Sequence, residues 1–311
     1  MCERRSDLVR LLAVADAERI VAAADRLAMT QPALSRILAR LEKEFGGRLF
    51  ERIPDGVRPT RLGTLVVGHA RRIVRDIEHG EEAVAAEHAG RTGRFRVTAA
   101  PVWMQAVVTP AVRAFHAAFP EVELKLRTVP WRKGVRLLAD GRTDLHCGGI
   151  DTGEALPAHL RRDRFLGVTA GIVAARDHPL HAARPEPRDL ADWPWIDLDG
   201  PARVGNGGLP SLVAVFDELH RQTGRRVRAV IRAGSAGVAL LAEGPWLAWL
   251  PLELIDRLPG APLEALPLTF GRRRYRTGFV VRRAAEDLEP FRALKHVVHA
   301  AVLGRPIGPP E

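Results

Sequence analysis

Between residues 34 and 45 the apolar side chains fall at Leu34, Ile37, Leu38, Leu41 and Phe45, one face of a helix at the 3.6-residue period. Gly46-Gly47 follow it as a C-terminal cap would. Two shorter helical patterns come first: Leu8, Leu11, Leu12 and Ala15 in "LVRLLAVAD" (8–16), then Val21, Ala24, Leu27 and Ala28 in "IVAAADRLA" (20–28), closed by a tight break at Met29-Thr30. Next, "RLFERIPDGVRPTR" (48–61) predicts two short extended pieces around Pro54-Asp55-Gly56, a small hairpin or wing.

Residues 62–88 form a long amphipathic stretch in which Val66, Ala70, Ile73, Ile77 and Val84 fall close to heptad spacing, interrupted by Gly80. The spacing favours a helix that pairs with another chain; packing on its own domain is the alternative. Gly90 to Gly93 supply a joint. Beyond it the pattern changes to strand 95–100, helix 102–119, strand 121–129, a short helix in "WRKGVRLLADG" and strand 143–150. This βαβαβ order predicts a parallel α/β sheet. A similar unit recurs as strand 167–175, helix 209–223, strand 226–231, helix 235–243 and strand 246–250. The expected division is residues 1–61, a long linker helix and joint over 62–93, and a two-lobed α/β domain over 94–311 (lobes of about 94–166 plus 269–303, and 167–268). A cleft between two such lobes suits a small molecule.

At 311 residues the chain has room for two or three compact units. Its net charge of +10 is carried almost entirely by arginine, whose planar fork suits phosphates and base edges, although a solvated basic surface has the same composition. Cys2 and Cys147 make no disulfide framework, which predicts a reducing, cytoplasmic setting. In "MCERRSDLVRLLAVADAER" charges interrupt the apolar residues before signal-peptide length, and no run approaches the roughly 18 residues of a membrane span.

The third helix carries the sharpest chemistry. Pro32 stands in its first turn, where a missing N–H costs no hydrogen bond, and Thr30 or Gln31 can supply the cap. Opposite the apolar face lie Pro32, Arg36, Ala39, Arg40 and Lys43, with Gln31, Ala33 and Ser35 on the leading turn. A helix start offers free N–H groups to a phosphate; glutamine pairs bidentately with adenine, arginine with guanine, and a small Ala33 permits close approach. A polar helix face alone is usually just solvated. Three helices in this order, then a hairpin bearing Arg52, Arg58 and Arg61, predict a winged helix-turn-helix that reads the major groove of duplex DNA.

These residues also carry a family resemblance. "AAADRLAMTQPALSRILARLEKEFGGRLFER" (22–52) followed by "RPTRLG" (58–63) resembles the N-terminal signature of LysR-type transcriptional regulators, and the two-lobed region, with "DHPL" (177–180) and "DLADWPWI" (189–196), is similar to their effector-binding domain. The resemblance implies an all-α winged helix-turn-helix, a linker helix and a periplasmic-binding-protein-like α/β domain, with no enzymatic activity. It places base and backbone contacts on Gln31, Pro32, Ala33, Ser35 and Arg36, with Thr30 and Arg40 beside them, and the wing on Arg52, Arg58, Pro59 and Thr60. It implies a dimer through residues 62–88, a tetramer on bent DNA with quasi-palindromic half-sites, and RNA polymerase as a protein partner. Where many members have Gly-Ser-x-Thr this chain has Glu18, Arg19, Ile20 and Val21, so a serine cap is lost and Arg19 is the alternative phosphate contact.

No cofactor is implied beyond a small-molecule co-inducer between the lobes. By the resemblance its site draws on Pro101, Val102, Trp103, Thr128, Trp131, Gly149, Ile150, Arg203, Asn206, Gly234 and Ser235. Helix starts near Val102 and Ser235 would aim N–H groups into the cleft from opposite sides, which favours an anionic or strongly hydrogen-bonding ligand, with Arg203 and Arg232 adding charge. Trp103 and Trp131 are either an aromatic wall for a ring or plain core. The lobe crossovers near 165–173 and 268–280 are the expected hinge.

Other readings are weaker. "AGSAG" (233–237) lacks the first glycine of a nucleophile elbow and has no placed acid and base. His296 and His299 lie three apart without a cysteine or carboxylate cluster, and Cys147 beside His146 reads as a buried thiol with no resolving partner in its lobe. A solute-binding protein of the same two-lobed fold would leave residues 8–88 without a purpose.

Overall fold

The computed structural model describes residues 2–89, 93–149, 155–198, 211–260 and 262–303. It divides into two compact units, one centred on Met1–Ala85 and one on Ala86–Leu138 with Thr143–Glu311.

The first unit runs α1 (Cys2–Ala17), α2 (Ile20–Arg26), α3 (Gln31–Glu44), β1 (Phe50–Ile53), β2 (Gly56–Pro59) and α4 (Arg61–Ala89). α1 begins six residues before its clearest apolar pattern. The α2–α3 turn is a Schellman closure built on alanine: Ala28 adopts φ 50°, while Met29 N–H donates to the Ala24 carbonyl at 3.0 Å and Ala28 N–H to that of Asp25 at 3.2 Å. α3 ends the same way on the expected glycines, with Gly46 at φ 75° and Gly47 N–H donating to the Glu42 carbonyl at 2.9 Å. Leu11, Val14, Leu34, Leu38, Leu41 and Leu49 form its core, but Phe45 of the expected apolar face is exposed. β1 and β2 pair as an antiparallel hairpin, Phe50 opposite Pro59 and Ile53 opposite Gly56.

α4 is one continuous helix through Gly80, so the expected interruption does not occur. The physical reason is that glycine weakens a helix by only about 1 kcal/mol, which a helix of this length tolerates. Val66, Val67, Ala70 and Val74 are buried in the core of the first unit, whereas Leu65, Ile73 and Val84 are exposed. The heptad-like set therefore divides between an inward and an outward stripe.

The second unit continues with β3 (Gly93–Ala99), α5 (Pro101–Trp103), a π-helical turn (Met104–Val108), α6 (Thr109–Ala118), β4 (Val122–Thr128), α7 (Trp131–Ala139), β5 (Leu145–Gly149), β6 (Leu160–Ala175), α8 (Pro179–Ala182), β7 (Pro194–Asp197), α9 (Leu212–Thr223), β8 (Ala229–Arg232), α10 (Gly237–Ala242), β9 (Ala248–Pro251), β10 (Leu263–Ala265), β11 (Arg273–Arg282) and α11 (Glu289–Val302). The π turn accompanies Pro110, which lacks an N–H and crowds the carbonyl four residues back; widening the helix accommodates it, and Thr109 Oγ1 donates to the Met104 carbonyl at 2.9 Å.

The sheet is mixed rather than parallel. β3 lies parallel between β4 and β5 as expected, but β11 enters antiparallel to both β5 and β6. β11 returns from the end of the domain without a crossover helix, so it meets β5 head to tail. β6 and β11 run through both lobes, with a register shift between Thr277 and Gly278. The distal half of β6 pairs with β9 and β10, while β7 and β8 form a parallel pair of their own. Phe95, Phe115, Leu145, Phe279 and Phe291 centre one core, and Trp195, Leu190, Val215 and Leu219 a second.

Candidate functional site

The start of α3 is held open by its own residues. Thr30 is the N-cap in extended conformation, its Oγ1 accepting from Ala33 N–H at 3.4 Å, and Pro32 follows in the first turn. Gln31, Pro32 and Arg36 are exposed, and Ala33 and Ser35 are half-buried beside them. A rigid, partly capped helix end with a glutamine and an arginine at its rim presents donors to phosphate and base edges.

Other predicted contacts are engaged elsewhere. Arg40 directs its guanidinium to Asp7, Nη2 to Oδ2 at 2.5 Å, and Asp7, only 6 % exposed, also accepts from Arg10 at 3.0 Å. Thr60 caps α4, accepting from Gly63 N–H at 2.9 Å and donating to the Arg48 carbonyl at 2.7 Å. Arg58 on the wing donates to Glu51 Oε1 from Nε at 2.9 Å and from Nη2 at 2.7 Å, yet its side chain stays 66 % exposed. Arg52 is exposed on β1. Arg19, the alternative phosphate contact, instead donates from Nε to the Asp55 carbonyl at 3.0 Å. With Val57 N–H donating to the Glu18 carbonyl at 2.8 Å, it fastens the wing to the α1–α2 turn. Gly56 makes this approach possible, because a Cβ there would stand 2.1 Å from the Glu18 carbonyl oxygen.

In the second unit α5, which opens the helix after β3, meets the turn at 234–236, one element from each lobe. Pro101, Val102 and Trp103 are buried, and Trp131 packs its ring 5.3 Å from that of His146. Both tryptophans are thus buried in this unit. Thr128 and Gly149 end β4 and β5 half-buried, and Gly234 sits at φ 50°. The backbone of Ser235 lies in the 234–236 turn. Ile150, Arg203 and Asn206 lie outside the described residues. Arg232 is largely exposed, its Nε 4.0 Å from buried Asp197, so its charge is partly balanced.

The burial of two polar groups is not visible in the sequence. Asp7 is visible only as a charge beside an apolar helical pattern. His146 interrupts the otherwise apolar strand β5; burial holds its imidazole down to about 3, opposed by a hydrogen bond the ring donates to Thr98, so it is neutral near pH 7. Burial pushes the neighbouring Cys147 thiol up, which fits a packed, unreactive side chain. Among the described residues no group of three or more metal-ligating side chains occurs, and no helix is long and apolar enough to cross a membrane.

A capped helix-turn-helix with a wing, joined in one chain to a two-lobed α/β domain, defines a ligand-responsive DNA-binding regulator. The comparisons agree: residues 6–64 match the bacterial regulatory helix-turn-helix protein, lysR family, and residues 88–302 match the LysR substrate binding domain. The chain belongs to the LysR family of transcriptional regulators, which are not enzymes. It is 32 % identical over 285 residues to the small neutral protease regulatory protein of Streptomyces lividans, covering 85 % of this chain and 76 % of that protein. Its fold resembles that of full-length CbnR complexed with its target DNA (TM-score 0.60, 20 % identity, 96 % of this chain and 99 % of that one). It also resembles full-length LysG of Corynebacterium glutamicum with bound effector Arg (TM-score 0.62, 20 % identity, 97 % and 99 %).

Proposed function

We propose that this regulator reads its operator with the leading turn of α3, and that Gln31, Pro32, Ala33, Ser35 and Arg36 contact base edges and flanking backbone in the major groove. The observation that carries the reading is the exposed helix start capped by Thr30, with Gln31 and Arg36 at its rim. Arg52 and Arg58 on the wing contact phosphate, Arg58 exchanging Glu51 for the DNA backbone. Arg40 and Thr60 act by holding α1, α3 and α4 in place. The working division is a DNA-binding domain over 1–61, a linker over 62–93 and an effector domain over 94–311.

The exposed stripe of Leu65, Ile73 and Val84 on α4 supports a dimer formed through this helix, paired further into a tetramer on a quasi-palindromic site. A small molecule binds between the lobes, against the helix start at 101–103 and the turn at 234–236, and the protein acts in the cytoplasm. The test is fluorescence anisotropy on the intergenic DNA beside its own gene and on random DNA, across a salt series. A preference of roughly a thousandfold for the upstream DNA is expected. Equal, weak binding to both would reject the reading.

A further inference from the structure

We infer that the second unit carries a DNA contact of its own, independent of base sequence: Arg272, Arg274 and Arg276, a stripe of guanidinium groups along β11, hold neighbouring phosphates of duplex DNA. The inference rests on the reading of this protein as a DNA-binding regulator. Residues 1–89, which include the helix-turn-helix and its wing, hold 15 Lys and Arg against 14 Asp and Glu, a net charge of only +1. Residues 90–311 hold 32 against 23, so +9 of the net +10 lies there. The long-range attraction for a polyanion thus comes almost entirely from the second part of the chain.

On β11 that surplus is ordered. Exposure alternates along "RRRYR" (272–276): Arg272, Arg274 and Arg276 are exposed, while Arg273 and Tyr275 are half-buried. Arg273 takes the opposite face, where it pairs with Glu218 of α9, and Tyr275 packs against the core of the unit. Side chains two apart on a strand share a face about 6.7 Å from each other, close to the separation of neighbouring phosphates along one nucleic-acid strand. A forked guanidinium can donate to two oxygens of the same phosphate.

Among the described residues none of the three side chains makes an ion pair or a hydrogen bond. Across the ribbon Arg274 stands opposite Thr169 of β6 and Arg276 opposite Gly167, neither of them acidic. A Cβ on Gly167 would lie 3.8 Å from Arg274 Nε, so this guanidinium passes over bare backbone. Two carboxylates bonded to the ribbon are already engaged: Glu218 with Arg273, and Glu253 with Thr169 N–H at 2.9 and 3.0 Å. Like charges held at this spacing repel one another, and phosphates laid along the stripe turn that repulsion into attraction.

The test uses the full-length protein and anisotropy on random duplex DNA and on the intergenic DNA beside its own gene, across a salt series. Each phosphate contact adds about 0.9 to the slope of log K against log salt. The triple variant Arg272→Gln, Arg274→Gln, Arg276→Gln should therefore lose about two to three units of slope on both DNAs alike, with operator preference unchanged. The corresponding triple lysine variant keeps the charge and should keep the slope. Each single glutamine variant should lose about one unit, a readout that survives if the triple variant fails to fold. Arg113→Gln, Arg184→Gln and Arg292→Gln together remove the same charge at exposed sites elsewhere in the unit and should leave the slope as it is. A slope unmoved by the stripe variants, or lowered as much by the control set, would overturn the assignment. Weak, equal binding of both DNAs by the wild type counts against the regulator reading and this inference together; an intact operator preference with an unmoved slope counts against this inference alone.

Discussion

The two units solve the same problem, presenting a few polar groups on a rigid frame, by different means. The first builds its face from one short stretch of chain, so that Thr30, Pro32 and the apolar stripe Leu34, Leu38 and Leu41 set the helix start, its cap and its burial together. The second assembles its cleft from strand ends far apart in the chain, joined through β6 and β11. The contrast teaches that a reading surface can be local while a binding cleft must be a product of topology. It also predicts that the units melt separately, which suggests ways to break the comparison.

The largest effects should come from the two cores. Phe291→Ala should cost about 3–5 kcal/mol and lower only the effector-unit transition, and Leu34→Ala about 2–5 kcal/mol in the DNA-binding unit alone. Calorimetry of both variants checks this; a single transition shifted equally by either would show one cooperative body. Next is acid. His146 sits near 6.5 when unfolded and about 3 when folded, so between these values the unfolded chain holds the extra proton. Stability from this group is intact above pH 6.5 and falls by about 1.4 kcal/mol per pH unit as the pH drops toward 3. His146→Phe should flatten that slope in denaturant melts of the effector unit.

Asp7→Asn should cost about 1–3 kcal/mol, because Arg10 and Arg40 lose a buried charged acceptor. Operator binding should fall only as far as the unit unfolds, whereas a direct role for Arg40 at DNA would make Arg40→Ala lose affinity without losing stability. The smallest effect runs the other way: Ala28→Gly should stabilise the DNA-binding unit by about 0.5–1 kcal/mol, since alanine at φ 50° is strained where glycine is not.

Legibility followed the same division. The three helices, the wing turn at Pro54-Asp55 and the glycine stop at Gly46 were all readable, because each is a local pattern with a local cause. The engagement of Arg40 was not, since its partner Asp7 lies 33 positions away on another helix. The antiparallel entry of β11 was equally hidden: apolar alternation reads the same in either strand direction, and "RRYRTGFVVR" pairs with β5 across more than a hundred residues. His146 enters the sequence reading only as the neighbour of Cys147. Its setting depends on Thr98, Gly134 and Gly148, which meet only once the sheet is formed.

The central claim is that the leading turn of α3 reads bases while the wing holds phosphate, and the direct measurement is anisotropy of wild type, Gln31→Ala and Arg58→Ala on operator and random DNA across salt. Gln31→Ala should lose about 1–3 kcal/mol of preference at one base position with the salt slope unchanged. Arg58→Ala should weaken all sequences alike and lower the slope by about one. Equal losses on operator and random DNA for Gln31→Ala would contradict the account.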